Sequence, residues 1–136
     1  MTATFSLAVH ALVFLNHKKA TLSSEVLAEN ICTNPARIRK VMAQLKKAGL
    51  IVTKEGMEGG YTFRLNPSEV TLRQVADAVE ARFVSASWHS GSEDMDCLVA
   101  SGMAGIMDGI YAELDDGCRS RLERITIADI DRQIFS

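Results

Sequence analysis

The stretch from Ser23 to Leu65, SSEVLAENICTNPARIRKVMAQLKKAGLIVTKEGMEGGYTFRL, constrains the fold of this chain more than any other. It reads as two short helices joined by a tight turn, then a small hairpin with glycines at its tip. The second helix is amphipathic, and its outer face is basic. That order suits a winged helix-turn-helix, a module that lays one helix in the major groove of DNA.

The second of these helices has the clearest start. Asn34 is a good N-cap, and Pro35 fits the first helical position, where a missing N–H costs nothing. Ile38, Val41, Met42 and Leu45 recur at helical spacing as one buried stripe. Arg37, Lys40, Gln44 and Lys47 share another face, and Gly49 ends the helix. Leu50 to Lys54 is a β-prone run, Gly56 to Gly60 forms a loop, and Tyr61 to Leu65 returns. Upstream, Phe5 to about His17 predicts a first helix with Ala8, Val9, Leu12, Val13 and Leu15 on its apolar side. Ser23 or Ser24 caps the next helix, whose Val26, Leu27 and Ile31 are expected to face inward.

Beyond Asn66-Pro67, Thr71 to Gln74 has capping-box spacing and opens a fourth helix with Leu72, Val75, Ala76 and Val79 inward. Ser85 to Asp96 is polar and reads as a loop. Met103, Met107, Ile110, Leu114 and Cys118 then recur every three or four residues from about Ser101 to Glu123. A helix of that length spans about 34 Å, too long for so small a domain to cover. Its apolar flank is expected to pack on a second copy, and Gly105-x-x-x-Gly109 allows close approach. The alternative is that these glycines break the helix. Thr126 and Asp129 open a last short helix. The fold class expected is therefore mainly α with a small β-hairpin wing, a winged helix-turn-helix plus a long C-terminal dimerisation helix. Residues 1–83 form the DNA-binding domain, 84–100 a regulatory loop, and 101–136 the dimerisation and C-terminal helices.

Charge is segregated. The 136 residues carry a net −2. Residues 1–66 hold nine Lys or Arg against four Asp or Glu, while residues 67–136 hold six against thirteen. A basic half suits phosphate, and the acidic half is left for another task, unless the segregation is chance. No apolar run is long enough for a bilayer, and the N-terminus lacks the positive region of a secretory signal, so a cytoplasmic protein with no membrane partner is expected. His10, His17 and His89 fall on separate elements. No nucleophile–base pair, phosphate loop or metal motif appears, so no catalytic residue, no metal and no enzyme activity are expected.

Thr33, Asn34, Ala36 and Arg37 occupy the end of the recognition helix that meets base edges. Arg37 is the candidate for bidentate contact with guanine. Lys40, Gln44 and Lys47 are expected to meet phosphate or solvent, and Arg39, on a different side, to do the same.

KKAGLIVTKEGMEGGYTFRL, the helix opened by TLRQVADAVE and the closing ITIADI together resemble the Rrf-two (Rrf2) family of bacterial winged-helix regulators over nearly the whole chain. The KKAGL turn and the G-x-x-G-G-Y wing (Gly56, Gly59, Gly60, Tyr61) are the most specific signatures. The resemblance implies a homodimeric DNA-binding transcription regulator, usually a repressor, on a roughly palindromic operator. It places Gly59, Gly60, Tyr61 and Arg64 at the minor groove, and it joins protomers through the long helix with Met103, Met107, Ile110 and Leu114. Members that bind an iron–sulfur cluster carry three closely spaced cysteines after the fourth helix. Here Ser85 to Gly105 holds only Cys97, and a cluster needs four protein ligands, so no cofactor is expected.

The three thiols, Cys32, Cys97 and Cys118, are too few and scattered for a disulfide scaffold. By the same resemblance, the loop after the fourth helix passes near the DNA-binding head of the partner subunit. A disulfide between Cys32 of one protomer and Cys97 of the other, formed under oxidant stress, would then change recognition-helix spacing. Asp94 and Asp96 count against a reactive Cys97, and Cys32 reads equally as a small core residue. The alternative is control by a small ligand or partner protein on the acidic half, without thiol chemistry.

Overall fold

The computed structural model describes residues 2–136. Its elements in chain order are α1 (Ala3–Lys18), α2 (Ser24–Ile31), α3 (Pro35–Lys47), β1 (Val52–Lys54), β2 (Gly60–Thr62), α4 (Leu72–Ala78), α5 (Leu98–Leu122) and α6 (Ile127–Phe135). Five of the helices surround one core. Leu12 and Leu15 of α1, Leu27 of α2, Ile38, Met42 and Leu45 of α3, Val75 of α4 and Ile127 of α6 are fully buried. Each such side chain contributes about 1.5–3 kcal/mol on burial.

Local chemistry sets the ends of α3. The Arg37 amide donates to Asn34 Oδ1 at 2.8 Å, and Pro35 follows the cap. At the other end Gly49 adopts φ +79°, the Gly49 amide donates to the Lys46 carbonyl at 2.9 Å, and the Leu50 amide donates to the Leu45 carbonyl at 3.0 Å. This is a Schellman closure, and it turns the chain toward the hairpin. Leu50 and Ile51 are buried ahead of β1, so the strand is shorter than its β-prone run. β1 and β2 pair antiparallel, with Val52 opposite Thr62 and Lys54 opposite Gly60.

α2 departs from expectation at Val26, which is exposed, while Leu27 and Ala28 are buried. Val26 sits about 100° around the helix from Leu27, on the side away from Ala28 and Ile31. Both capping boxes form, Thr71 with Gln74 and Thr126 with Asp129. The starts of α4 and α6 are also joined to each other. The Leu72 amide donates to the Ile125 carbonyl at 2.8 Å, and the Ile127 amide donates to the Val70 carbonyl at 3.0 Å. α6 thereby returns to pack on α1, where Phe135 stacks on His17 at 4.2 Å.

α5 runs unbroken through Gly102, Gly105, Gly109 and Gly117. It starts three residues earlier than its apolar repeat suggests, because extended Cys97 serves as its N-cap. Among the described residues, Asp115 is its one buried side chain. Phe83 and Val84 donate their amides to Asp115 Oδ1 at 2.7 and 3.0 Å, and Arg119 Nε donates to Oδ2 at 3.2 Å. Arg119 also reaches Asp77 and the Ala81 carbonyl. Burial opposes ionisation of Asp115. The Val84 and Phe83 amides and the guanidinium outweigh it and hold the carboxyl below the usual range.

Asp115→Ala strands two amides and leaves the Arg119 guanidinium with only Asp77 and the Ala81 carbonyl, and should cost about 3 kcal/mol in urea denaturation. A loss under about 1 kcal/mol would refute the role. Because the folded pKa is depressed, the contribution is complete above the unfolded carboxyl value of about 4 and vanishes as pH falls through the lower folded value. The gap between wild type and variant should therefore narrow in acid.

Candidate nucleic-acid interface

α3 buries one side and shows three kinds of residue on the rest. At about 100° per residue, Ala36, Lys40, Ala43 and Lys47 lie opposite the buried stripe. Arg37 and Gln44 lie along one flank, Arg39 and Lys46 along the other. Arg37, Lys40, Lys46 and Lys47 are exposed, and Gln44 is half-buried. Among the described residues, none of these four cations has an ion-pair partner. Arg37 lies beside Cys32 and Thr33, over a shallow cleft that Ser6 and His10 of α1 also line. Thr33 is half-buried and Ala36 exposed. Asn34 is exposed, but its Oδ1 is taken by the Arg37 amide.

Arg39 differs. Its Nη1 donates to Ser24 Oγ at 3.2 Å and lies 3.8 Å from Glu25 Oε1. It links α3 to α2, a contact that helical periodicity cannot reveal.

The wing is docked rather than free. Leu22 and Tyr61 exchange both backbone hydrogen bonds, at 3.0 and 2.8 Å, adding one rung to the hairpin. Gly60 adopts φ +156°, and a Cβ there would overlap the Leu22 carbonyl. A Cβ on Gly59 would meet the carbonyls of Lys54 and Gly56. Both glycines are thus demanded by the closure of the wing itself. Tyr61 is half-buried; burial raises its phenol pKa, with smaller opposed influences from Arg39 and Glu25 nearby. Arg64 is exposed just after β2. The tip holds Met57, fully exposed between Glu55 and Glu58. Those two carboxylates are a feature that attention to the glycines passed over.

The long helix presents a second surface. Ile106, Ile110 and Leu114 are 61%, 44% and 53% exposed, and Leu98 and Val99 continue the apolar face toward its start. Met103 and Met107 are half-buried. Ile106 belongs to this face although the apolar repeat read from the sequence omitted it. Asp115, Arg119 and Leu122 occupy the side toward the head.

All three thiols are free; Cys32 and Cys97 are exposed and Cys118 is half-buried. Cys32 is not a core residue. It ends α2 in a left-handed conformation, with Sγ 3.8 Å from the Glu29 carbonyl. The amides of Ala100 and Val99, at the start of α5, draw the Cys97 thiol below its ordinary pKa. This overturns the expectation that Asp94 and Asp96 raise it. His89 leaves the loop to pair with Asp108 of α5 at 2.8 Å. No helix is long and apolar enough to cross a membrane among the described residues.

A family model described as "Rrf2: Iron-dependent Transcriptional regulator" matches residues 1–133. The chain is 22% identical over 135 residues to YwnA of Bacillus subtilis, described as an HTH-type transcriptional regulator, covering 99% of each. In fold it is similar to a transcriptional regulator from Lactobacillus plantarum, with TM-score 0.84 and 23% identity over 98% of this chain and 91% of that one. It is also similar to the oxidised form of Staphylococcus aureus CymR, with TM-score 0.67 and 17% identity over 95% and 93%. The iron in the family's description finds no fit here. Among the described residues no three His, Cys, Asp or Glu side chains converge as a metal would require. Cys97 is also the single thiol between α4 and the middle of α5. The chain belongs to the Rrf2 family of transcriptional regulators.

Proposed function

We propose that this regulator is a sequence-specific repressor, working in the cytoplasm as a homodimer on a roughly palindromic operator. Membership of the family makes it a transcription regulator rather than an enzyme and implies DNA binding. The observation that carries the finer reading is the exposed, unpaired cationic face of α3. Thr33, Asn34, Ala36 and Arg37 meet base edges at its N-terminal end. Lys40 and Gln44 meet phosphate. The wing, through Gly59, Gly60, Tyr61 and Arg64, follows the minor groove. The dimer forms through α5, whose Met103, Met107, Ile110 and Leu114 share an apolar side with Ile106. Along a helix about 37 Å long, Ile106, Ile110 and Leu114 of this apolar face stay exposed in the lone protomer.

The regulatory step we assign to Cys32 and Cys97. An oxidant such as a peroxide takes two electrons and two protons from the two thiols, and an intersubunit disulfide forms. Exposure of both sulfurs and the lowered pKa of Cys97 support this, since the thiolate is the nucleophile. The oxidised state of CymR, a neighbour in fold, is a parallel. A second reading has its own observation. A cleft of about 760 Å3 opens between α4 and α5, lined by Asp77, Glu80, Arg82, Asp108, Asp116 and Arg119 among others. A small ligand or partner protein held there would control the same dimer without thiol chemistry.

Three measurements test these assignments. Log affinity for random duplex should fall linearly with log salt, and Arg37→Ala should cost about 1–3 kcal/mol of discrimination at one base pair. Salt-independent binding would refute the DNA reading. Ile110→Glu with Leu114→Glu should convert a two-chain particle to one chain in sedimentation, and an unchanged mass would exclude α5 as the interface. Diamide should yield a dimer-sized band on non-reducing gels that Cys32→Ser or Cys97→Ser abolishes. A response that survives both variants favours the ligand reading.

A further inference from the structure

Arg39 is the one cation of α3 with an anionic partner among the described residues, and that partner stands on α2. Three groups lock together. Ser24 is nearly buried; its Oγ accepts from Arg39 and donates to Glu25 Oε2, each at 3.2 Å. The Glu25 and Arg39 side chains are 70% and 54% exposed. An ion pair so open to water holds the fold by little, and a better anion can displace the carboxylate. The Glu25 carboxylate also faces the working side of the head, and both charges of the pair act on Tyr61 of the wing. Glu25, with Ser23 and Ser24, forms one wall of a cleft of about 360 Å3 whose other wall is the wing, from Thr53 through Lys54 and Glu55 to Tyr61.

We propose that Glu25 holds Arg39 in reserve, so that Arg39 is released only to a DNA phosphate arriving in register between α2 and the wing. The inference rests on the DNA-binding reading above. In the free protein Glu25 cancels one positive charge of the recognition helix and sets a carboxylate where the backbone of a misplaced duplex would pass. Random DNA therefore meets a weaker attraction than the count of Lys and Arg suggests. At the operator, a fixed phosphate replaces the carboxylate on the guanidinium, and the lost pair is repaid. Glu25 thus acts on the ratio of specific to non-specific affinity, the quantity that governs site choice.

Glu25→Gln separates this from a general charge effect when set beside Glu29→Gln, an exposed acid of α2 with no ion-pair partner among the described residues. The probes are a random duplex and a duplex of the same length selected from a random library by the wild-type protein. Glu25→Gln should bind random duplex about 3–10-fold tighter, with a salt slope steeper by about 1 per protomer, and should gain less on the selected duplex. Glu29→Gln should gain clearly less on random duplex. In an Arg39→Gln background the Glu25→Gln gain should shrink to the Glu29→Gln level. Equal gains for the two acids, equal gains on the two duplexes, or a gain that persists without Arg39 would each overturn the proposal. A wild type that ignores both duplexes would instead sink the DNA reading itself.

Discussion

The arrangement of this protein depends on one carboxylate. Among the described residues Asp115 is the one buried group that the long helix commits to the head, and it is held there by two backbone amides. Those amides belong to Phe83 and Val84, just past α4, and Arg119 ties the same turn from one helical step further on. A polar clamp of this kind fixes direction more tightly than an apolar patch of similar area, because each donor has to aim at a lone pair. It also leaves the opposite side of α5 uncommitted, which is why Ile106, Ile110 and Leu114 stay exposed.

The head is organised by short-range rules. Asn34, Pro35, the four-residue apolar stripe and Gly49 act within a turn or two of themselves, so α3 was legible in the sequence to the residue. The two capping boxes were legible for the same reason. The wing was visible as a hairpin, but its shorter arms follow from burial of Leu50 and Ile51, which local β propensity does not report. What stayed hidden was long-range. Asp115 is not distinguished from Asp116 by its neighbours in sequence: Arg119 lies about one turn on from either, and the Phe83 and Val84 amides lie about thirty residues earlier. The rung between Leu22 and Tyr61 and the link from Arg39 to Ser24 are likewise products of tertiary geometry. Val26 shows the converse, an apolar residue that a short helix cannot turn inward.

The candidate site divides in the same way. The identity of the cationic residues could be read from their spacing, but their state could not. Arg37 and Lys40 are free, whereas Arg39 is engaged. The wing glycines, which the sequence suggested as points of approach to a duplex, are required first by contacts inside the protein. Cys97 lies among acids in the sequence, yet the Ala100 and Val99 amides at the start of α5 draw its thiol pKa down.

The capping of α3 restricts how Asn34 could read a base. The Arg37 amide takes one lone pair of Oδ1 and fixes the plane of the side-chain amide, leaving the second lone pair and the two Nδ2 hydrogens. The two-way pairing that an asparagine makes with adenine is then open only in the orientation that the cap already sets. Stability of the helix and vocabulary of recognition are here decided by the same oxygen.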